Sequence, residues 1–163
     1  MLDIAVIDEG WNARLDFERA VEAAVAATPF VNLATSPASI EIAIRLTSDT
    51  EVHALNLKWR DKDQPTNVLS FPMCDADELA TLEEAQGEVM LGDIVLAQGV
   101  CTREAEEKRI PLEAHATHLI VHGVLHLLGY DHMGDEEALA MESLERRVLA
   151  GLDLHDPYAD ELA

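Results

Sequence analysis

Most histidines of this chain fall in one short stretch, and three of them belong to the run HGVLHLLGYDH at positions 122–132. His122 and His126 are four residues apart, so on a helix both side chains project from one face about one turn apart. Gly129 follows His126, and glycine commonly ends a helix because it adopts positive φ without strain. The spacing therefore predicts a helix that stops at Gly129 and a turn that brings His132 back toward the first two histidines.

Three imidazoles at this spacing predict a metal site with a hydrolytic rather than a structural role. Imidazole is the commonest neutral ligand of divalent transition metals, whereas a structural zinc site is usually closed by four protein ligands, mostly thiolates. Three histidines leave one coordination position for water, whose pKa zinc lowers toward about 7. We therefore expect a hydrolase. His118 precedes His122 by one turn, so we expect it to support the ligands or to line the cleft, and we expect His115 to be only a polar position.

Length and composition are those of one globular domain. The 163 residues are 48% hydrophobic, which suffices for a core. The N-terminus lacks the basic start of a signal peptide, and the longest apolar stretch, around 119–130, is too short to span a bilayer. Cys74 and Cys101 have no paired spacing and are expected to be reduced packing residues. These features predict a cytoplasmic protein that does not act at a membrane.

The net charge of −21 argues against a nucleic-acid partner when it is taken alone, because nucleic-acid binders are usually basic. The basic residues are clustered, however, with Lys58, Arg60 and Lys62 in one group and a second, solvated group at 103–109. Distant charges are screened beyond roughly 10 Å, so a cleft can stay locally positive on an acidic protein. We expect weak non-specific affinity for nucleic acid and recognition confined to a cleft.

The hydrophobic pattern predicts about four strands and five helices. Strands are expected at 2–7, 39–46, 68–71 and 88–97, and helices from a cap at Asn12, at 49–60, at 98–108, from Pro111 to Gly129 and from a cap at Asp135. Residues 73–87 are predicted to form an irregular acidic loop. Regular βαβ alternation is lacking, so the predicted class is α+β, with a mixed sheet in a single domain over 1–152. The metal site is expected at the end of the penultimate helix, and a flexible acidic tail over 153–163.

The spacing His-x-x-x-His-x-x-Gly-x-x-His is also that of metzincin peptidases. In those enzymes the residue after the first histidine is the glutamate that acts as general base, and here it is Gly123. Glycine transfers no proton, so a peptidase mechanism would need a base from elsewhere. Asp131 is the nearest candidate, although an aspartate beside a ligand histidine can instead orient that imidazole.

The histidine run resembles the signature of the YbeY family, bacterial metal-dependent endoribonucleases of rRNA maturation. Two upstream stretches are similar to that family as well, LNLKWRDKDQPTNVLSFP at 55–72 and LGDIVL at 91–96. Asn67 departs from the family pattern, since many members carry aspartate there. The resemblance implies one bound Zn²⁺ ion, a role for Arg60 in the cleft, and single-stranded rRNA as the substrate. The implied zinc ligands are His122, His126 and His132.

For the chemistry we hypothesise that zinc polarises the phosphate or its attacking water, that Arg60 stabilises the developing charge, and that His118 or Asp131 assists. A guanidinium can hold two non-bridging phosphate oxygens in parallel, which suits phosphodiester hydrolysis. The alternative for Arg60 is a surface salt bridge with Asp61 or Asp63.

The resemblance implies an endoribonuclease that acts on the 3′ end of small-subunit rRNA and in ribosome quality control, with the small ribosomal subunit as partner and no role for DNA. A metallopeptidase-like hydrolase with a displaced base is the second possibility. The third is a non-catalytic ribosome-assembly factor whose metal is structural. The sequence leaves the oligomeric state and the general base open.

Overall fold

The computed structural model describes residues 1–131, 133–154 and 156–158, apart from the side chains of Val31 and Ala34. Its centre is a mixed sheet of four strands, β1 (Leu2–Asp8), β2 (Ser39–Thr47), β3 (Val68–Pro72) and β4 (Glu88–Ala97). The strands lie in the order β1-β2-β4-β3. The first three in this order run parallel to one another, and β3 pairs antiparallel with β4 at the edge.

Helices cover the sheet in the described part of the chain. They are α1 (Phe17–Ala26), α2 (Asp49–Arg60), α3 (Ala76–Ala80), α4 (Gln98–Lys108), α5 (Leu112–Leu127) and α6 (Asp135–Gly151), with short 3-10 helices at Val31–Thr35 and Leu82–Glu84. α5 packs on β3 and β4 and contacts α1, α4 and α6, whereas α2 contacts β3, β4 and α4. The predicted α+β class, with a four-stranded mixed sheet and helices in one domain, is confirmed.

Alternation along the strands creates two cores. The inward positions of β2 are buried, namely Ile40, Ile42, Ile44 and Leu46. In β4, Ile94 joins the large core that contains α1, α5 and α6, while the next residue, Val95, joins a smaller core with Val52 of α2. Because successive side chains of a strand point to opposite faces, α2 and α5 lie on opposite faces of the sheet.

Glycines let α5 approach the sheet closely, and this approach fixes where its histidines lie. A Cβ atom on Gly123 would lie 2.9 Å from the Ile94 side chain of β4. A Cβ atom on Gly92 would lie 2.5 Å from both the Leu127 side chain and the carbonyl oxygen of Phe71. Neither position has room for a larger residue, so the C-terminal end of α5 is pressed against β3 and β4.

Two predicted helix starts are wrong by one to a few residues. α1 begins after Asp16, whose carboxylate accepts a hydrogen bond from the amide of Arg19, while Asn12 lies in the preceding loop with a φ of 52°. That loop is held by Asp8, whose carboxylate accepts from the Asn12 amide and from those of its neighbours. α6 begins after Gly134, so Asp135 is its first helical residue and not its cap. Its negative charge still interacts favourably with the helix dipole.

The predicted irregular loop at 73–87 instead contains α3 and the second 3-10 helix. Asp75 and Glu78 form a capping box, in which each side chain accepts a hydrogen bond from the other residue's backbone amide. Leu82 is buried, and Leu79 packs against the large core. The prediction failed because the acidic residues that indicate a surface loop serve here as a cap.

Both cysteines behave as predicted, since Cys74 and Cys101 are buried and free. None of the helices described is long and apolar enough to cross a membrane. The domain boundary at residue 152 stays a prediction, because residues 155 and 159–163 of the expected tail lie outside the described residues. Within the same segment, Leu154 packs against the large core and Tyr158 contacts α6.

Candidate metal centre

His122 and His126 project from the last turns of α5 into a cleft of about 760 Å³. Their Nε2 atoms lie 3.0 Å apart, and the rings meet edge to face with centroids 4.5 Å apart. The structure thus brings together two of the three predicted ligands. The third, His132, lies outside the described residues.

The other nitrogen of each ring is engaged as a hydrogen-bond donor. Nδ1 of His126 lies 2.9 Å from the carbonyl oxygen of Tyr130, and Nδ1 of His122 contacts the Glu145 carboxylate. Both partners accept hydrogen bonds and donate none, so each Nδ1 carries the hydrogen. With the hydrogen on Nδ1, a neutral ring of this kind directs the lone pair of Nε2 toward the cleft, and the two Nε2 atoms lie 3.0 Å apart, close enough for one cation to contact both. The donor set therefore fits a divalent metal ion.

Glu145 is a fully buried carboxylate that holds His122 from behind. Its Oε1 accepts from His122, and its Oε2 accepts from the Tyr158 hydroxyl and lies 3.4 Å from Nε2 of His118. Burial alone would raise the pKa of this carboxyl, but hydrogen bonds from His118, His122 and Tyr158 outweigh burial and lower the pKa to about 2. Glu145 is therefore ionised at neutral pH and places a negative charge next to a candidate ligand.

Sequence reasoning missed Glu145, although α6 contains a signal for it. The apolar stripe of α6 includes Met141 and Val148, and Glu145 lies four residues after the first and three before the second. These spacings place all three on one helix face, which is buried. A glutamate on a buried stripe requires hydrogen-bond partners, and the histidines of the preceding helix are suited to that task.

His118 and His115 are both buried on α5, and neither is among the described residues that line the cleft. Burial lowers the pKa of His118, so its neutral ring can donate from Nε2 to Glu145. His115 is 2% exposed, and its Nε2 lies 2.9 Å from the carboxylate of Glu104 on α4. His115 is thus a polar position away from the described cleft lining, as predicted, and it is buried because its side of α5 packs on α4.

A second combination of donors shares His122. One ligand atom from each of His118, His122 and Glu145 lies within 4.8 Å of the others, so this group could also hold a metal ion. Hydrogen bonds to both imidazoles already satisfy the carboxylate of Glu145. A metal ion in the cleft would be reached by the Nε2 atom of His122, whereas the contact with Glu145 uses Nδ1, and one imidazole can serve both.

Arg60 lines the same cleft from the end of α2. Its Nη2 atom donates to the carbonyl oxygen of Ser70 at 2.5 Å, and its guanidinium carbon lies 5.5 Å from the centre of the Phe71 ring. No ion pair joins Arg60 to Asp61 or Asp63 among the residues that the structure describes. The guanidinium is therefore held by β3 and not by a surface salt bridge.

Asp131 lies in the cleft as well, on the turn between α5 and α6. Its Oδ1 accepts a hydrogen bond from the amide of Met133 at 3.2 Å, and its side chain is exposed. This bond shapes the turn in the manner of an Asx turn. The same carboxylate faces a cleft that contains two imidazoles and a guanidinium.

Asn67 shows how the chain accommodates its departure from the family pattern. The Asn67 side-chain amide donates to Glu104 at 3.0 Å, and its Oδ1 accepts from the Val68 amide at 2.7 Å. An aspartate at this position would place a second negative charge against Glu104. Asparagine keeps the hydrogen bond to Val68 and converts the contact with Glu104 from repulsive to attractive.

Comparison with known proteins assigns the family. Residues 7–153 match the family model described as endoribonuclease YbeY. The chain is 55% identical to endoribonuclease YbeY of Rhizorhabdus wittichii over 98% of both chains, and 56% identical to that of Sphingopyxis alaskensis over 93% of this chain and 89% of the other. The solution structure of TM1509 from Thermotoga maritima shares the fold, with a TM-score of 0.53 at 22% identity over 95% of this chain and 98% of that one. The matched residues include the histidine run and both upstream stretches, and this chain belongs to the endoribonuclease YbeY family.

Proposed function

We propose that this protein is a metal-dependent, single-strand-specific endoribonuclease that acts on the 3′ end of small-subunit rRNA and in ribosome quality control. The observation that carries the proposal is the pair of Nε2 atoms of His122 and His126, 3.0 Å apart in a cleft that Arg60 also lines. Membership of the family supports hydrolysis of RNA phosphodiester bonds.

The residues that would hold the metal, proposed to be one zinc ion, are His122, His126 and His132. The first two fit this role because their Nδ1 atoms are engaged as donors and their Nε2 atoms converge. The spacing along the chain supports His132 as the third. A bound ion supplies Lewis acidity and activates water as a nucleophile at neutral pH.

Gly123 argues against a peptidase of the metzincin kind. The glutamate base of those enzymes would occupy this position. A Cβ atom there would already lie 2.9 Å from Ile94, so a glutamate could be placed only if the Ile94 side chain or α5 itself moved. Gly123 thus both allows α5 to pack closely on β4 and leaves the position of the metzincin base without a carboxylate.

Arg60 and Lys62 supply positive charge to the cleft of a protein whose net charge is −21. Negative charge grows on the non-bridging oxygens during phosphodiester hydrolysis, and a guanidinium can stabilise it. The contacts of Arg60 with Ser70 and Phe71 hold the guanidinium before substrate arrives, which reduces the reorganisation that the reaction requires.

Asp131 and His118 are assigned different tasks. Asp131 is an exposed carboxylate in the cleft, so it is the candidate for proton transfer or for orienting a ligand imidazole. His118 lies outside the described cleft lining and contacts Glu145, so it would assist the reaction through that carboxylate.

The substrate is proposed to be single-stranded rRNA presented by the small ribosomal subunit in the cytoplasm. Two basic residues in the cleft can contact few phosphates, and the acidic exterior repels the rest of a long RNA. Free RNA would then bind weakly, and the subunit would supply the remaining affinity.

Cleavage assays with purified protein test this function. We expect a labelled RNA with a single-stranded 3′ extension to be cut, and a fully paired RNA and casein to remain intact. Arg60→Ala should lower cleavage about 100-fold, the scale of removing one group that stabilises the transition state. Zinc content should be unchanged. Arg147→Ala, which removes an exposed arginine of α6 outside the described cleft lining, is the matched control and should cleave as fast as the parent.

Cleavage of casein in preference to RNA would contradict the proposal in favour of a peptidase. Normal rRNA processing in cells that carry a folded His126→Ala protein would favour an assembly factor with a structural metal.

A further inference from the structure

We infer that Glu145 is a positioning residue of the metal site and that Tyr158, from the segment after α6, holds Glu145 in place. This role rests on the proposed function, because it concerns how His122 is presented to the ion. Neither Glu145 nor Tyr158 is among the described residues that line the cleft, so both would act through His122 and not on the substrate.

The first step is the bond between Glu145 and His122. A carboxylate that accepts from Nδ1–H fixes the tautomer of the imidazole, so the lone pair stays on Nε2, the atom that faces His126. The same bond fixes the rotation of the ring about its side-chain axis. Without it, either nitrogen of His122 could carry the hydrogen and the ring could turn away from His126.

The second step is the way in which Glu145 itself is held. The carboxylate is fully buried, and a buried charge is stable only when its oxygens are hydrogen-bonded. Oε2 accepts from the hydroxyl of Tyr158, and His118 lies at 3.4 Å from the same oxygen. These partners keep Oε2 occupied, so that Oε1 remains directed at His122.

The third step ties Tyr158 to α6. Its backbone amide donates to Asp156 at 2.8 Å, and Asp156 in turn pairs with Nε of Arg146 at 3.3 Å. The guanidinium of Arg146 lies 5.2 Å from the centre of the Tyr158 ring, and that ring meets His118 edge-on at 5.9 Å. Arg146 directly follows Glu145, so the segment after α6 closes onto the turn of the helix that carries the carboxylate.

The chain provides a matched control on the same helix. Glu104 and His115 form a second carboxylate–imidazole pair at 2.9 Å, and His115 is buried, as is His118 beside Glu145. His115 lies about two turns before His122 on α5. Replacing Glu104 removes the same kind of contact without touching His122.

The experiment measures zinc affinity by chelator competition in the full-length parent, Glu145→Gln, Tyr158→Phe and Glu104→Gln. Loss of an outer partner of a metal-ligating histidine typically weakens metal binding about 10- to 100-fold. We expect that loss for Glu145→Gln, a smaller loss of less than about 10-fold for Tyr158→Phe, and affinity close to the parent for Glu104→Gln. The absorption spectrum of the Co²⁺-loaded protein should shift for the first two variants, because the ligand field reports how His122 is oriented.

Each outcome decides between two conclusions. Zinc binding by Glu145→Gln as tight as by the parent, or an equal loss in Glu104→Gln, would overturn the inference while leaving the proposed function intact. A parent that binds no zinc would overturn both. Should Glu145→Gln fail to fold, Tyr158→Phe decides, because it removes one hydroxyl and keeps the ring; an unchanged affinity and Co²⁺ spectrum there would overturn the inference.

Discussion

Among the contacts between carboxylates and the histidines of α5, the His115–Glu104 pair and the His122–Glu145 pair differ in what the second nitrogen of the imidazole contacts. In the first pair, His115 contacts Glu104, and its other nitrogen is buried with no hydrogen-bond partner among the described residues. In the second pair, His122 contacts Glu145 through Nδ1, and its Nε2 faces His126 in the cleft. The chemistry of the two pairs is alike, and their position on the helix separates a packing contact from a candidate ligand.

The difference follows from how α5 is packed. Its first half lies against α4, which closes over His115, while its second half lies against β3 and β4 at the edge of the sheet. The edge leaves the end of the helix open to the cleft, and the helix ends at Leu127 before Gly129, which has a φ of 97°. His122 and His126 therefore line the cleft, whereas His115 does not.

The largest effect is expected from His126→Ala compared with His115→Ala. Removing His126 deletes a proposed ligand, so zinc affinity should fall by more than the roughly 100-fold upper range of outer-partner changes. Removing His115 should lower stability, since it leaves a cavity and takes one hydrogen bond from the Glu104 carboxylate, yet zinc affinity should stay near that of the parent. Elemental analysis and chelator competition measure both. Stoichiometric zinc in His126→Ala would break the distinction between the two pairs.

Removal of the metal should change the melting temperature of His115→Ala but not that of His126→Ala. A ligand at about 100 times its dissociation constant stabilises the folded state by about 2.7 kcal/mol, which is roughly 5–10 °C in a chain of this length. We expect chelation to lower the melting temperature of the parent and of His115→Ala by this amount, and to leave His126→Ala unchanged. The measurement is thermal unfolding with and without chelator, after metal removal has been verified. An equal shift in all three proteins would mean that the ion binds elsewhere.

The sequence predicted the parts of this comparison that depend on local spacing. The bounds of α2, β4 and α4 follow from periodicity, and the convergence of His122 with His126 follows from a four-residue interval on a helix. The partners of the histidines could not be predicted this way. Glu104 and Glu145 lie on other helices, and which face of α5 each helix covers is decided by packing across the whole domain. The prediction of an irregular loop at 73–87 failed for a related reason. An acidic residue that caps a helix cannot be distinguished by composition from one that is solvated in a loop.

Gly123→Ala tests whether the second half of α5 must lie against the sheet. The new Cβ atom would lie 2.9 Å from Ile94, and overpacking of this kind costs about 1–3 kcal/mol. Since Gly123 follows His122, any shift of the helix should also change the cleft. Gly151→Ala is the control, because its Cβ atom would meet nothing within 4 Å at the end of α6. Urea unfolding measures both variants, and a Gly123→Ala protein as stable as the parent would show that Ile94 or α5 can shift without loss and that the close contact is not required.

The smallest effect concerns the pH dependence of the two carboxylates in the metal-free protein. The hydrogen bond from His115 lowers the pKa of Glu104 below its usual 4.5, against the opposing effect of burial. A carboxyl whose pKa is lower in the folded state stabilises the protein above its unfolded pKa and loses that contribution as the pH falls toward the folded pKa. Glu104→Gln should therefore melt about 2–4 °C below the parent at pH 7, corresponding to roughly 1 kcal/mol, and this gap in melting temperature should close as the pH falls below about 4.5.

For Glu145→Gln the gap in melting temperature between variant and parent should persist to lower pH, because the pKa of Glu145 is about 2. Melting curves from pH 7 to pH 3 measure both gaps, and a gap for Glu104→Gln that widens with acid would reverse the assigned sign. If both gaps close over the same pH range, hydrogen bonds stabilise the two carboxylates to the same extent. The two pairs would then differ only in what the second nitrogen of the histidine contacts.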